Sequence, residues 1–149
     1  VDVLAGRAQV GKKVVIIGGE LVGCETAEHL ADQGKKVTVV RRGPEMATKV
    51  RPAIRGLLLE RLSQKGAVLI PGVSSYDEIN REGLALTKDG QRQVIPADTV
   101  IIAAGVKPDN GLLDSLKKEL PNTTAVGDLV EPRDIQAAMN EGYRAGLKV

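Results

Sequence analysis

Residues 13–40 constrain the fold of this chain more than any other stretch. Lys13 leads into four apolar residues, Val14, Val15, Ile16 and Ile17. An unbroken run of this kind forms a strand buried on both faces. Gly18 and Gly19 interrupt it. Leu21, Cys24, Ala27, Leu30 and Ala31 then recur at helical spacing, and Gly34 is a fitting helix stop. A second apolar run occupies residues 37–40. Strand, glycine turn, helix and strand within about 30 residues make one βαβ unit.

The rest of the chain extends this pattern. A helix is predicted over residues 51–65, with Ile54, Leu57, Leu58 and Leu62 as its apolar stripe, and a strand over residues 67–70. Between residues 73 and 95 the pattern changes to short alternating segments, 75–79, 84–87 and 93–95, with an Asp89-Gly90 hairpin signal. They predict an antiparallel β-meander. Residues 99–104 read as a buried strand halted by Gly105 and followed by Pro108. Beyond lie a short helix at 112–120, a strand at 123–126 ending on Gly127-Asp128, and a helix at 134–149. The expected organisation is a lead-in (1–11), a Rossmann-like nucleotide-binding domain (12–108) and a separate C-terminal piece (109–149). The chain starts without Met and stops inside a helical pattern, so it reads as an excerpt from a longer polypeptide.

Composition narrows the function classes. With 149 residues, 42% of them hydrophobic, the chain can bury the core of about one domain. That core is aliphatic, since Phe and Trp are absent and Tyr76 and Tyr143 are the only aromatics. Stacking platforms for bases are scarce, and a formal charge of +2 offers no bulk attraction for nucleic acid. One cysteine, Cys24, excludes an internal disulfide or a cysteine-rich metal site, and one histidine, His29, gives histidine catalysis little to work with. No run approaches the roughly 18 apolar residues of a membrane span. No signal peptide is evident. A cytoplasmic protein is expected.

The glycine turn carries the chemistry. A helix N-terminus presents unpaired N–H groups and partial positive charge, a natural seat for a pyrophosphate. The preceding turn needs glycines so that the backbone can bend and approach the phosphates. Gly18 holds the first position of G-x-G-x-x-G and Gly23 the third, but the second is Glu20. There it adds bulk and negative charge beside a dianionic group. At an effective dielectric of about 20, like charges roughly 4 Å apart repel by about 4 kcal/mol. Glu20 is therefore expected to weaken the site, swing to solvent or cap the helix, and a degenerate, non-catalytic nucleotide-binding or interaction domain is the alternative function. An acidic residue about 20 positions past the motif would hold the ribose of NAD. Arg41 and Arg42 stand there instead. They suit a 2′-phosphate and favour NADP, unless they are simply solvated.

Residues 14–27, residues 99–108 and residues 124–133 with Ala137, Ala138 and 141–146 carry a further signal. Together they resemble the C-terminal region of the NADH:flavin oxidoreductases, the family of 2-enoate reductase, 2,4-dienoyl-CoA reductase and trimethylamine dehydrogenase. The resemblance covers nearly the whole chain. It implies that the module holds NAD(P)H against FAD for hydride transfer in a longer enzyme. It also implies that FMN and a 4Fe–4S cluster sit in an absent N-terminal barrel, and that half of the FAD domain is absent too. The expected partners are thus the FAD half-domain and the FMN barrel of the same polypeptide. The fragment is not expected to be catalytic alone. The candidate cofactor-binding residues are Gly18, Gly19, Glu20, Leu21, Val22 and Gly23 of the turn and Arg41 and Arg42 past the second strand, to which the resemblance adds Ala104 and Gly105 in the returning strand-Gly-x-x-Pro segment and Gly127 and Asp128 in the closing FAD motif, where Asp128 would accept a hydrogen bond from a ribityl hydroxyl. Glu25 matches an acidic residue near the nicotinamide, with a surface carboxylate as the plain alternative. Cys24 is expected to be a packed thiol, His29 to be exposed, and Lys13, Lys35 and Lys36 to be solvated flanks.

Overall fold

A computed structural model describes residues 2–148. These divide into two compact units, one up to Ala104 and one from Gly105 onward.

The first unit is built on a parallel sheet. Strands β1 (Lys13–Ile17), β2 (Lys36–Val40), β3 (Val68–Ile70) and β7 (Thr99–Ile102) stand in the order β3-β2-β1-β7. The register is flush at the carboxyl edge: Ile17 lies opposite both Val40 and Ile102, and Val40 opposite Ile70. Helices α1 (Leu21–Asp32) and α2 (Pro52–Gln64) connect the first three strands. Between β3 and β7 come β4 (Val73–Asn80), β5 (Gly83–Lys88) and β6 (Gln91–Pro96), which form the expected antiparallel meander.

Alternation along β1 explains why its apolar run has no polar break. Val14 and Ile16 pack with Cys24, Ala27, Leu30, Leu58 and Leu62 of the helices. Val15 and Ile17 join Val73, Leu84 and Leu86 of the meander. Both faces of the strand are thus covered, and each needs an aliphatic residue.

Several expectations are corrected. Leu21, Ile54 and Leu57, read as members of apolar stripes, are exposed, so those stripes are only partly buried. Leu21 sits at the very start of α1, and α2 buries only Leu58 and Leu62. Lys35 is not a solvated flank, because its ammonium donates to the carbonyls of Val10 (2.7 Å) and Gly11 (3.1 Å) and pins the lead-in. His29 is exposed, as expected.

Charge joins the two helices. Glu28 on α1 accepts from Arg61 Nε (2.6 Å) and Nη2 (3.1 Å) and from Lys65 Nζ (3.1 Å) on α2. The Arg61 hydrogen bond, against a smaller opposing effect of burial, draws the Glu28 carboxyl from 4.5 down to about 2. A carboxyl depressed in the folded state stabilises the fold above its unfolded pKa, and that contribution is lost as pH falls through the folded value. Glu28→Gln is therefore expected to lower the urea midpoint at neutral pH. In a pH series of urea melts, the gap to wild type should close between about pH 4.5 and about pH 2.

The second unit holds α3 (Gly111–Glu119), a 3-10 turn (Gly127–Leu129) and α4 (Ile135–Gly146). The expected strand at 123–126 does not form. Val126 has extended backbone angles, but the segment has no neighbouring strand to complete a ladder. Thr123 instead turns back, its amide and hydroxyl both donating to Leu120 O. Asp134 caps α4 by accepting from Ala137 N at 2.7 Å. The end of the expected helix at Val149 lies outside the described residues.

Candidate nucleotide site

The carboxyl edge of the parallel sheet gathers most of the first-unit candidates. Open α/β sheets bind ligands there, where neighbouring connections leave in opposite directions. Here β1 is followed by the glycine turn, β2 by Arg41 and β7 by Ala103 and Ala104.

Gly18 and Gly23 are fixed by close approach. Gly18 has φ +122, and a Cβ on it would lie 2.2 Å from the Ala103 carbonyl oxygen. A Cβ on Gly23 would lie 1.8 Å from the Gly18 carbonyl oxygen. The turn therefore passes hard against the end of β7, and α1 packs hard against the turn. Two backbone bonds hold the arrangement: Gly18 N–H to Val40 O at 2.9 Å and Ala103 N–H to Ile17 O at 2.7 Å.

The first turn of α1 stays open. Glu20 occupies the N-cap position with extended backbone but makes no side-chain hydrogen bond to the helix. The first helical amide to find a partner is Cys24 N–H, on Glu20 O at 3.0 Å. Among the described residues none caps the amides of Leu21, Val22 and Gly23. Leu21 and Val22 are exposed. Gly23 is buried beneath them, and the first turn carries three uncapped N–H groups and no acidic side chain.

Glu20 neither caps the helix nor points freely to solvent. Its carboxylate reaches Arg41 Nη2 at 2.5 Å, accepts from Thr48 Oγ1 at 2.8 Å and accepts from the Lys49 amide at 3.1 Å. Burial opposes its ionisation, but those hydrogen bonds and the Arg41 charge outweigh it and hold the carboxyl below its ordinary pKa. Arg41 is likewise engaged. It donates to Glu45 O (2.5 Å) and Thr48 Oγ1 (3.0 Å), so it is not a solvated arginine. Arg42 is exposed, with its guanidinium 5.5 Å from the Tyr76 ring centroid.

The loop at residues 43–49 packs on the turn, a contribution that nothing in its sequence signals. Ala47 donates its amide to Gly19 O at 2.6 Å, and Met46 and Ala47 are buried. Space explains Gly19: a Cβ there would lie 2.3 Å from Met46 Sδ. No residue type in the loop advertises this role, apart from a non-glycine residue, Ala47, at φ +52, which only the structure reveals.

Cys24 is the packed thiol that its spacing predicts. It is fully buried, and burial, with a smaller push from Glu20, raises it to about 11. It is therefore a thiol rather than a thiolate nucleophile. Glu25 is exposed.

In the second unit, Gly127 has φ +65 and donates its amide to Glu141 Oε2 at 2.7 Å. Glu141 also pairs with Arg133, and the Gly127 hydrogen bond, then Arg133, lowers its pKa. Asp128 is exposed beside this buried glycine. Gly105 has φ +104 with open space around it.

Residues 3–128 match the family described as pyridine nucleotide-disulphide oxidoreductase. The chain belongs to that family. Its resemblance to the C-terminal region of the NADH:flavin oxidoreductases also holds, because relatives of that kind align along almost its whole length. Cinnamate reductase of Clostridium sporogenes is 32% identical over 99% of this chain and 23% of its own length. NADH oxidase of Thermoanaerobacter brockii shows the same identity and coverage. The structure of a 2-naphthoyl-CoA reductase complex superposes with a TM-score of 0.93 at 31% identity, over 99% of this chain and 23% of that one. Histamine dehydrogenase from Rhizobium sp. 4-9, at 23% identity and a TM-score of 0.81, shares the fold. The chain thus spans about a quarter of the length of these relatives. Among the described residues, no helix is long and apolar enough to cross a membrane.

Proposed function

We propose that this chain is the nucleotide-binding module of a cytoplasmic flavin-dependent oxidoreductase, and that it positions NAD(P)H for hydride transfer to FAD in a longer polypeptide. The uncapped first-turn amides of Leu21, Val22 and Gly23, beside a turn-helix junction where Gly18 and Gly23 admit no side chain, carry this reading. They fit a pyrophosphate, which needs backbone donors and close approach. Glu20 does not cap these amides, because its carboxylate is held by Arg41, Thr48 and the Lys49 amide past the end of β2. A relative named NADH oxidase supports a nicotinamide nucleotide as the ligand. When bound, that nucleotide supplies the hydride, and this chain supplies position and electrostatics.

Asp128, exposed beside Gly127, is suited to accept a hydroxyl of the FAD ribityl chain. FAD completes its site only with a second half-domain. FMN and a 4Fe–4S cluster belong to a further barrel, since one cysteine here supplies at most one of four cluster ligands. The second unit supports such a partner: Ile135, Met139 and Tyr143 form one stripe along α4, and each is at least 70% exposed.

Glu20 at the second glycine position favours a different reading, a degenerate domain that binds no dinucleotide. Calorimetric titration of the chain with NADH, NADPH and ADP separates the two. Saturable binding of a nicotinamide nucleotide is expected. Heat-silent titrations with all three, unrestored in Glu20→Gly, would establish the degenerate domain.

A further inference from the structure

We propose that Glu20 sets the nucleotide preference of this site, selecting NADH over NADPH by supplying from the glycine turn the carboxylate that the end of β2 lacks. The inference rests on the dinucleotide reading above. In sheets of this kind an acidic residue at the end of the second strand receives the adenosine ribose hydroxyls. That place in the chain is held by Arg41 and Arg42. The parallel register, however, sets Ile17 opposite Val40, so the glycine turn and the end of β2 leave the sheet side by side. Glu20 spans the gap, and its carboxylate comes to rest on Arg41, Thr48 and the Lys49 amide.

The acceptor count leaves room for a ligand. Among the described residues, Oε1 takes Arg41 and the Thr48 hydroxyl, while Oε2 takes the Lys49 amide alone. One acceptor position on Oε2 is therefore open, and the side chain is 30% exposed. A ribose 2′-hydroxyl can donate there. A 2′-phosphate meets the opposite situation. It would bring negative charge against a carboxylate, while the Nη2 group of Arg41 is already engaged by Glu20 and Thr48 and its Nη1 donates to the Glu45 carbonyl. The two arginines that suggested NADP therefore do not act as a free pair.

The test titrates NADH and NADPH into the wild-type chain and into Glu20→Gln, which keeps the shape and removes the charge. Wild type is expected to favour NADH by about tenfold or more, and Glu20→Gln to shift the ratio toward NADPH by about tenfold. The wild-type ratio stands even if the variant folds poorly, which circular dichroism reports. A wild-type preference for NADPH would overturn the inference and place the phosphate on Arg42. An unchanged ratio in a folded Glu20→Gln would overturn it as well, leaving the site reading intact. Binding of neither nucleotide to either protein would overturn the site reading and this inference together.

Discussion

Replacing Gly23 with alanine is expected to cost about 3 kcal/mol or more of stability, a larger loss than most surface or loop substitutions produce. The added Cβ would sit 1.8 Å from the Gly18 carbonyl oxygen, which is backbone and cannot rotate away. Relief requires α1 to lift from the turn or the turn to open. The turn, however, is tied to β2 through Val40 O, and a Cβ on Gly18 itself would strike the Ala103 carbonyl. Helix, turn and two strands therefore move together or not at all. The same displacement spreads the first-turn amides proposed to receive the pyrophosphate, so affinity for the nucleotide should fall along with stability. Urea melts and calorimetric titration of Gly23→Ala check both. A variant as stable as wild type would show that the turn tolerates the clash by a route the packing does not offer.

Leu62→Ala should destabilise by a comparable amount, about 2–5 kcal/mol, for a different reason. Leu62 is fully buried between α2 and the sheet, in the cluster with Leu30, Leu58 and Val39. Truncation removes apolar contacts and leaves a cavity that its neighbours fill only in part. The residue lies near the end of α2, away from the glycine turn. Nucleotide affinity below the melting transition should therefore stay near wild type. Loss of affinity in Leu62→Ala without unfolding would mean that the helix layer sets the site geometry more directly than its contacts indicate. Taken with Gly23→Ala, the pair separates residues that hold the scaffold from those that hold both scaffold and site.

Much of this architecture was legible along the chain, for identifiable reasons. The run from Val14 to Ile17 has no polar break because both faces of β1 are covered, so its strand was read with its observed limits. The meander announced itself through alternation and through Asp89-Gly90, whose backbone takes φ of +51 and +75. Other features were misread where a local pattern lacked a tertiary partner. Residues 123–126 have strand-like composition, yet no neighbouring strand completes their hydrogen bonds. Ile54 and Leu57 have helical spacing, yet α2 turns Leu58 and Leu62, with Leu59 partly buried beside them, to the core instead.

The strand-turn-helix unit, the two glycines that must be glycines and the family membership follow from the order of residues alone, because backbone sterics and hydrophobic periodicity act locally. The fate of Glu20 does not. Whether its charge blocks the turn, caps the helix or serves a ligand depends on Arg41, Thr48 and Lys49, more than 20 positions away. Only the flush parallel register of β1 and β2, with Ile17 beside Val40, brings them within hydrogen-bonding distance. Charge partners across a sheet edge are set by strand register, which the tertiary structure alone decides.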